Sequence, residues 1–444
     1  MDNLQNVNCL NKRVFNNAAW IIGCRIAQSL LSLVIGLLTA RYLGPSNYGI
    51  ITYVASVVAF AMPIMQLGLK STLVKEFVQA PEQEGQILGT ALVINIVSSV
   101  VCMAGCVAFT AVADAGKTET ILICALYSLT LLFQATEMTQ YWFQAKLLSK
   151  YPSVATLVAY MAVAMYKLYL LITHKSVVWF AISNVLDYFL ISVILMIIYH
   201  RVGGQRLRVS WALGMQMLSR SKYYIIPSLM VMVFQHTDQI MIKFMVGEVE
   251  TGLYSAALTC IGISSFVFAA IIDTARPVIL AEKERNQELY EKRVTQLYNI
   301  ITCLSLAQSI GMTLLAKPIV YILYGNEYSG SAVVLAVAVW YITFGHYGSV
   351  RNIWILAEGK QKYLTSINII GACANVLLNF CLIPILGAVG AAWASVVTQF
   401  FTNVILSFVY KPIRKCNYLM LKGLNPKITL DLLTNMRNVN GKRT

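Results

Sequence analysis

The sequence predicts an all-α membrane protein with about 12 transmembrane helices, arranged as two parallel six-helix lobes around a central cavity. Three observations support this prediction: the composition, a succession of long apolar stretches, and a short pattern that occurs once in each half of the chain. Of the 444 residues, 58% are hydrophobic and only 12% are charged, whereas about 25% of the residues of a soluble protein are charged. This composition argues strongly against a water-soluble enzyme.

Twelve apolar stretches have the length of a membrane-spanning helix. Such a helix needs about 20 mostly apolar residues, because the hydrocarbon core is about 30 Å thick and a helix rises about 1.5 Å per residue. The stretches are too long for buried strands and lack the alternation of half-buried ones. The predicted spans are 14–40, 47–69, 87–113, 119–145, 152–173, 177–200, 223–246, 252–275, 294–316, 331–357, 363–384 and 387–410. The first has no signal-peptide cleavage site, so we read it as a span that also directs insertion.

The positions of the basic residues predict the orientation. With the N-terminus in the cytoplasm, 26 of the 34 Lys and Arg residues lie on the cytoplasmic side and only four on the opposite side. Cytoplasmic loops carry such an excess of Lys and Arg. The remaining four lie inside spans: Arg25, Lys167, Lys243 and Arg351. We therefore expect both termini in the cytoplasm, and the net charge of +15 requires no nucleic-acid partner.

The turns after spans 1 and 7 share a pattern. Leu43–Ile50 and Val246–Leu253 both consist of an apolar residue, Gly, four residues, Gly, and Ile or Leu, at an offset of 203 residues. Six spans per repeat leave both copies in the same direction, which is the arrangement of a parallel repeat. The predicted organisation is an N-lobe (1–200, spans 1–6), a cytoplasmic linker (201–222), a C-lobe (223–410, spans 7–12) and a basic cytoplasmic tail (411–444).

Polar residues lie on one face of several predicted spans, at helical spacings of three, four or seven residues. They are Arg25, Gln28, Ser29, Ser32 and Thr39 in span 1; Gln134, Glu137, Gln140 and Gln144 in span 4; Gln235, Asp238, Gln239 and Lys243 in span 7; Asn368, Asn375 and Asn379 in span 11; and Ser395, Gln399, Thr402 and Asn403 in span 12. Interhelical hydrogen bonding is one interpretation. For whole stripes on several helices, a hydrated central cavity is the favoured one.

The charged residues inside spans require separate reasons, because a charge at mid-helix costs about 2.5–3.5 kcal/mol on insertion scales. Arg25 and Arg351 lie about a third of the way from the cytoplasm. They either bind a substrate phosphate, which suits the guanidinium fork, or extend towards the cytoplasmic interface. Lys167 and Lys243 lie nearer the outer ends, which favours the second alternative. Asp238 is too deep and too short to reach water, so it pairs with a cation or binds a coupling ion or proton.

We expect no catalytic site and no metal site. The four histidines fall in four different segments without metal-ligand spacing, and neither a G-x-S-x-G nor a P-loop pattern is present. The predicted outer loops are short, whereas a membrane enzyme of glycan assembly usually needs a large outer domain. A coupling H+ or Na+ is the only cofactor that the sequence suggests.

Five segments, in order along the chain, resemble motifs of the polysaccharide flippases (Wzx-type O-antigen transporters) of the multidrug/oligosaccharidyl-lipid/polysaccharide exporter superfamily. They read ARYLGPSNYGI from Ala40, YWFQAK from Tyr141, HTDQIMIKFMVGEVETGLYSAA from His236, AKPIVYILYGNEYSGSA from Ala316 and NVLLNFCLIPILGAVGAAWAS from Asn375. One departure follows the FQ motif, where the family often has a G-x-E-like stretch and this chain has KLLSK (146–150). No acidic residue is therefore carried over to that position.

The resemblance implies a flippase for undecaprenyl-diphosphate-linked oligosaccharides in the bacterial cytoplasmic (inner) membrane, working by alternating access in O-antigen, capsule or exopolysaccharide assembly. Its partners would be this lipid, the bilayer and other membrane proteins of polysaccharide assembly. The expected substrate-binding residues are Arg25, Gln28, Lys167, Arg351, Asn375 and Asn379. The expected ion-coupling or intramembrane pair residues are Asp238 and Lys243.

Three alternatives stay open at this point. The first is an ion-coupled multidrug antiporter of the same superfamily, which would place acidic residues in the cavity to bind a cationic drug. The second is a membrane enzyme of glycan assembly, which the short outer loops disfavour. The third is a scaffold for glycosyltransferases that uses the basic tail, although such a tail more readily rests on anionic lipid.

Overall fold

A computed structural model describes the backbone of residues 2–425 and the side chains of residues 23–425 except Arg25. The described part is almost entirely helical and divides into two compact units, Met1–His236 and Thr237–Thr444. The predicted all-α membrane fold is confirmed.

Unit 1 contains eight α-helices and most of a ninth. They are α1 (Asp2–Gln66), α2 (Leu73–Gln79), α3 (Glu84–Ala113), α4 (Thr118–Gln134), α5 (Met138–Ala145), α6 (Lys150–Ile172), α7 (Val177–Arg201) and α8 (Trp211–Ser221), followed by α9 (Ile225–Met245). A core of large side chains, among them Phe77, Trp142, Phe143 and Tyr199, holds the ends of α2, α3, α5 and α7 together.

Unit 2 contains the last turns of α9 and the helices after it. They are α10 (Glu248–Gly262), α11 (Ser265–Arg285), α12 (Gln287–Leu314), α13 (Ala316–Tyr324), α14 (Ser331–Ala357), α15 (Lys362–Leu386), α16 (Ala388–Phe400), a π-helical turn (Phe401–Ile405), α17 (Leu406–Val409) and α18 (Arg414–Gly423). Its core joins α11, α12 and α14 to α18 through Tyr290, Tyr298, Trp354 and Leu419.

The number of spans agrees with the sequence. In the described residues, ten helices are long and apolar enough to cross a membrane, or eleven if α10 and α11, which meet at a 46° bend, form one broken span. One of the ten, Ile26–Gln66, has 41 residues and would extend about 60 Å, twice the hydrocarbon thickness. It divides at Gly44, whose φ of 69° and ψ of 172° are not helical. Predicted spans 1 and 2 are its two parts, which brings the total to twelve.

The exterior of the helices is apolar. Val112, Ile172, Leu314 and Ile385 are each more than 70% exposed, and many further large aliphatic side chains are exposed along the helix surfaces. A soluble protein rarely exposes such extensive apolar surface, whereas lipid accepts it without cost. These surfaces are those expected of a multi-pass membrane protein.

The segment predicted as a free linker, 201–222, is packed on unit 1. The backbone N–H of Arg208 donates to the Gly85 carbonyl at 3.1 Å, and Arg220 pairs with Glu76 at 2.9 Å. A Cβ at Gly85 would overlap the carbonyl of Arg206, so glycine permits this close approach. The division between the two compact units falls within α9, after His236.

The predicted basic tail, 411–444, is only partly described. Its first residues form α18, which packs on unit 2 through a hydrogen bond from Asn299 Nδ2 to the Gly423 carbonyl at 2.8 Å. Residues 426–444 lie outside the described residues.

Candidate functional site

Asp238 is the centre of a buried polar cluster in unit 2. Its carboxylate is 5% exposed and accepts hydrogen bonds from Tyr254 Oη at 2.5 Å, Ser395 Oγ at 2.5 Å and Asn379 Nδ2 at 2.6 Å. All three donors are neutral, and they come from α10, α16 and α15. A buried carboxylate needs such donors to offset its loss of hydration. The cluster therefore joins four helices around one acidic group.

The local sequence explains how α15 and α16 reach Asp238. Asn375 and Asn379 are four residues apart on one face of α15, and Asn379 Nδ2 also donates to Asn375 Oδ1 at 3.1 Å. Gly387 takes φ 58° between the two helices, a value that suits glycine. The next N–H, of Ala388, donates to Glu250 Oε2 at 2.9 Å, which fixes the start of α16 against α10. The structure thus brings together the predicted ion-coupling residue Asp238 and the predicted substrate-binding residues Asn375 and Asn379.

Lys243 lies apart from this cluster. It is five residues after Asp238 on α9, about 140° around the helix, and its Nζ lies 3.1 Å from Glu248 Oε1. Lys243 is 4% exposed, so this ion pair is almost buried. Lys243 therefore pairs with the acidic residue at the start of α10, and the hydrogen bonds to Asp238 come from neutral donors.

Arg351 is enclosed within unit 2. Its side chain, 3% exposed, donates from Nη1 to the Thr402 carbonyl at 2.8 Å and to Ser407 Oγ at 3.3 Å. The π-helical turn makes this carbonyl available, because the Leu406 N–H bonds to Phe401 rather than to Thr402. Asn417 Nδ2 on α18 donates a hydrogen bond to a second carbonyl of the same turn, that of Val404, at 2.6 Å.

The partners of Arg351 in the described residues are neutral. Burial raises the pKa of the nearby Cys416 thiol on α18 to about 12, so this thiol stays uncharged at neutral pH. Among the described residues, the guanidinium Nε finds no hydrogen-bond partner. These contacts give Arg351 a structural role at the π-helical turn, and the predicted contact with a substrate phosphate stays a prediction.

Span 1 contributes two predicted substrate-binding residues. Gln28 lies in α1 and is half-buried. Arg25 lies three residues earlier, and its side chain is outside the described residues. The predicted phosphate contact of Arg25 therefore also stays a prediction.

Lys167 belongs to a second polar cluster, in unit 1. Its Nζ donates to Asn184 Oδ1 at 3.0 Å, and it also interacts electrostatically with Asp187. Asn184 and Asp187 are three residues apart on α7 and so face the same side of that helix. All three residues are half-buried, and Asp187 Oδ1 is itself enclosed.

Further polar and aromatic side chains surround Asp187. Glu137, Tyr127 and Tyr188 all interact electrostatically with it, and Glu137 also interacts with Lys70. Glu137 was singled out in the sequence as part of the span 4 stripe. The tyrosines were not, because their spacing to the acidic residues does not place them on the same helix face. Unit 1 thus holds two lysines, two carboxylates and several phenol groups in one region.

The structure reveals a second internal repeat that the sequence analysis missed. YWFQAKLLSKY (141–151) and IWILAEGKQKY (353–363) align at an offset of 212 residues, with Trp, Ala, Lys and Tyr in common. Leu147 and Gly359 hold the same position and the same left-handed backbone, at φ 56° and φ 66°. The lysine at the end of each segment lies over the following tyrosine ring, at 4.9 Å and 5.3 Å. The two units therefore share this helix ending as well as the turns that begin with Gly44 and Gly247, both of which have positive φ.

A family model described as "Polysaccharide biosynthesis protein" matches residues 38–333, which is about two thirds of the chain. The chain belongs to the polysaccharide biosynthesis protein family. The match begins before the Leu43–Ile50 turn and ends after the AKPIVYILYGNEYSGSA segment, so it contains four of the five motifs that carried the resemblance. No curated protein matches the sequence at a significant level.

Solved structures of transporters share the fold of this family member. The lipid II flippase MurJ, in an inward closed conformation, aligns with a TM-score of 0.70 at 14% identity and covers 93% of each chain. An inward-facing multidrug resistance MATE family transporter of the MOP superfamily aligns with a TM-score of 0.69 at 13% identity, over 88% of this chain and 95% of the other. A eukaryotic MATE transporter, AtDTX14, aligns with a TM-score of 0.57 at 14% identity, over 94% and 99%. At these identities, the likeness establishes the fold of a multi-pass membrane transporter.

Proposed function

We propose that the protein is a flippase that moves undecaprenyl-diphosphate-linked oligosaccharides across the bacterial cytoplasmic membrane for surface polysaccharide assembly. The observation that carries this proposal is the membership of a polysaccharide biosynthesis family in a chain that has a transporter fold. A transporter in such a pathway must handle a sugar on a lipid carrier. The resemblance to a lipid II flippase supports a lipid-linked substrate.

The polar cluster of unit 1 supports the binding of a charged sugar head group. Lys167 supplies a cation for phosphate oxygens or for an acidic sugar, while Asn184, Asp187 and Glu137 supply acceptors for hydroxyl groups. Neighbouring tyrosines add flat apolar faces with a polar tip. These residues are half-buried, whereas Asp238 in unit 2 is 5% exposed, so the unit 1 cluster is the less enclosed of the two.

The cluster of unit 2 supports ion coupling at Asp238. A proton would bind the carboxylate itself. A Na+ ion requires oxygen ligands, as hard cations do, and the cluster offers the carboxylate, the Ser395 hydroxyl and Asn379 Oδ1, which has no hydrogen-bond partner. Binding of either ion would rearrange the donors that now point at Asp238, and this rearrangement would couple the ion to the helices α10, α15 and α16.

An ion-coupled multidrug antiporter is the second candidate. The likeness to MATE transporters favours it, as do the two carboxylates of unit 1, Asp187 and Glu137, which would attract a cationic drug. The two candidates differ in the substrate and in the physiological result of losing the protein, so one pair of assays separates them.

The test is expression in a strain that lacks its own O-antigen flippase, with surface glycan and drug tolerance both measured. Flippase activity restores the surface glycan and leaves the minimum inhibitory concentrations of cationic drugs unchanged. Raised drug tolerance without surface glycan would establish the antiporter instead. Because flippases differ in the sugars they accept, the glycan assay is run with the polysaccharide gene cluster that accompanies this chain.

The proposed orientation places both termini in the cytoplasm. It follows from the excess of Lys and Arg on one side. A C-terminal fusion to a fluorescent protein that matures only in the cytoplasm should fluoresce, whereas a fusion to alkaline phosphatase, which is active only outside, should stay inactive. The opposite pair of results would reverse the orientation.

A further inference from the structure

A groove of about 510 Å³ lies on unit 2 between α11 and α12. Its floor contains Ile279 and Leu297, which are 2% and 3% exposed. Its remaining lining residues are Ala270, Ile271, Thr274, Ala275, Val278, Arg293, Gln296 and Ile300. The volume is in the range of small-molecule binding sites, about 300–1,000 Å³.

The groove has one polar end and one apolar end. Asn286 caps the start of α12, and Arg293 follows it by seven residues, about 10 Å along the helix. Arg293 Nη1 donates to Gln296 Oε1 at 3.4 Å, so the two polar lining side chains of α12 adjoin. Ile300 is a further seven residues from Arg293, so the groove continues for about another 10 Å between apolar walls.

The walls of the deeper part present no unsatisfied polar group. The lining residue Thr274 donates its hydroxyl to the Ala270 carbonyl at 2.7 Å, which leaves its methyl group for the groove. The other members of this part are aliphatic. A ligand that fits must therefore be apolar along most of its length and anionic or strongly hydrogen-bonding at the end near Arg293.

We propose that this groove binds an anionic glycerophospholipid, with its phosphate on Arg293 and Gln296 and one acyl chain along Ile279, Leu297 and Ile271. Guanidinium groups bind phosphate oxygens through paired hydrogen bonds. An acyl chain matches the narrow aliphatic floor, and the helices that form the groove are membrane-spanning segments. The lipid is a bound component of the protein and is distinct from the transported substrate, so this inference is independent of the proposed function.

The test uses a phosphatidylglycerol with a photoreactive group at the end of one acyl chain, incorporated into proteoliposomes with the full-length protein. After irradiation, mass spectrometry should locate cross-links on the α11 peptide that contains Ala270–Val278. A zwitterionic phosphatidylcholine with the same chain should label that peptide about fivefold less, because it lacks the net charge that Arg293 selects.

Two variants and a control complete the design. Arg293→Gln should lower labelling by phosphatidylglycerol to the phosphatidylcholine level, and Ala275→Trp should block labelling by filling the groove. The control is Arg276→Gln, which removes a positive charge from α11 at a position that does not line the groove. It should keep the wild-type labelling pattern. Equal labelling by the two lipids, or unchanged labelling in Arg293→Gln, would overturn the proposal. Displacement of the probe by equimolar undecaprenyl phosphate would also overturn it, because the groove would then hold the polyprenyl lipid.

Discussion

Unit 1 and unit 2 contain polar clusters at corresponding places, and the two clusters differ in charge and accessibility. Lys167 and Asn379 are 212 residues apart, the same offset as the Trp142 and Trp354 segments. In unit 1 the residue is a half-buried lysine that contacts Asn184 and interacts with Asp187. In unit 2 it is a fully buried asparagine that donates to Asp238.

This difference suggests that the two repeated units have different functions, one in substrate binding and the other in ion coupling. The residues of the charged cluster in unit 1 are half-buried, whereas Asp238 is 5% exposed and accepts hydrogen bonds from three other helices. A closed carboxylate responds to a small ion or a proton, because little else can reach it. We therefore assign substrate contacts chiefly to unit 1 and ion coupling to unit 2.

The largest expected effect is that of Asp238→Asn. The change removes the negative charge to which Tyr254, Ser395 and Asn379 donate hydrogen bonds. A hydrogen bond to a charged group is worth about 1.5–3 kcal/mol, which corresponds to about 10–100-fold in activity. Surface glycan in the flippase-null strain should fall by that factor while the protein inserts at its normal level. The matched control is Asp273→Asn, which neutralises an exposed carboxylate of the same unit. Equal glycan in both variants would remove Asp238 from the coupling.

A smaller effect is expected of Lys167→Ala. Loss of a half-buried cation that contacts the substrate costs about 1 kcal/mol, or about fivefold in transport, and the loss should appear mainly as a weaker apparent affinity. Transport into vesicles at graded substrate concentrations measures it, with Lys175→Ala in the following loop as the control. A loss in maximal rate alone would assign Lys167 to the conformational step, and the two units would no longer differ as proposed.

Arg351→Met should affect stability more than transport. The substitution leaves the Thr402 carbonyl without its donor, at a cost of about 1–3 kcal/mol. The thermal inactivation midpoint of the purified protein should fall. Arg351→Lys keeps the charge but has a different donor geometry, so its midpoint should lie between those of the wild type and Arg351→Met. If Arg351→Met instead kept full thermal stability but lost transport, the phosphate contact predicted from the sequence would be restored.

The smallest effects are expected at the two left-handed residues. A left-handed conformation costs a non-glycine residue about 1–2 kcal/mol, so Leu147→Gly should stabilise unit 1 by about 0.5–1 kcal/mol. Gly359→Ala should destabilise unit 2 by a similar amount. Chemical denaturation in detergent measures both changes. Shifts of equal sign would show that the two helix endings are not equivalent.

The sequence predicted most of the fold because membrane insertion is governed by segment length and hydropathy, which are local properties. The sequence was enough to predict the twelve spans, the short connections and the two repeated turns, Leu43–Ile50 and Val246–Leu253. The packing of 201–222 on unit 1 was not predictable, because a polar segment reads as a linker whether it is free or packed. Contacts such as the close backbone approach at Gly85 and the Arg220–Glu76 ion pair distinguish the two cases, and they depend on tertiary structure.

The candidate site was partly predictable for a related reason. Helical spacing placed Asn375 and Asn379 on one face, and depth singled out Asp238, but their meeting depends on how four helices pack. The contact of Lys243 with Glu248 was not predicted, because depth alone cannot tell which carboxylate lies beside a lysine. The hydrogen bond from Arg351 to the Thr402 carbonyl was not predictable, because the π-helical turn that frees this carbonyl leaves no simple pattern in the sequence. The second repeat, 141–151 and 353–363, is detectable in the amino-acid sequence alone by comparing the chain with itself at every offset.

The most direct measurement is translocation of the lipid-linked oligosaccharide in proteoliposomes that contain only the purified protein. The substrate is incorporated during reconstitution and its outer-leaflet fraction is first oxidised. Its later arrival outside is then followed with a membrane-impermeant sugar oxidase under an imposed H+ or Na+ gradient. We expect gradient-dependent exposure of the sugar, lost in Asp238→Asn and retained in Asp273→Asn. Exposure at the rate of protein-free vesicles, together with gradient-driven movement of a cationic drug, would contradict it.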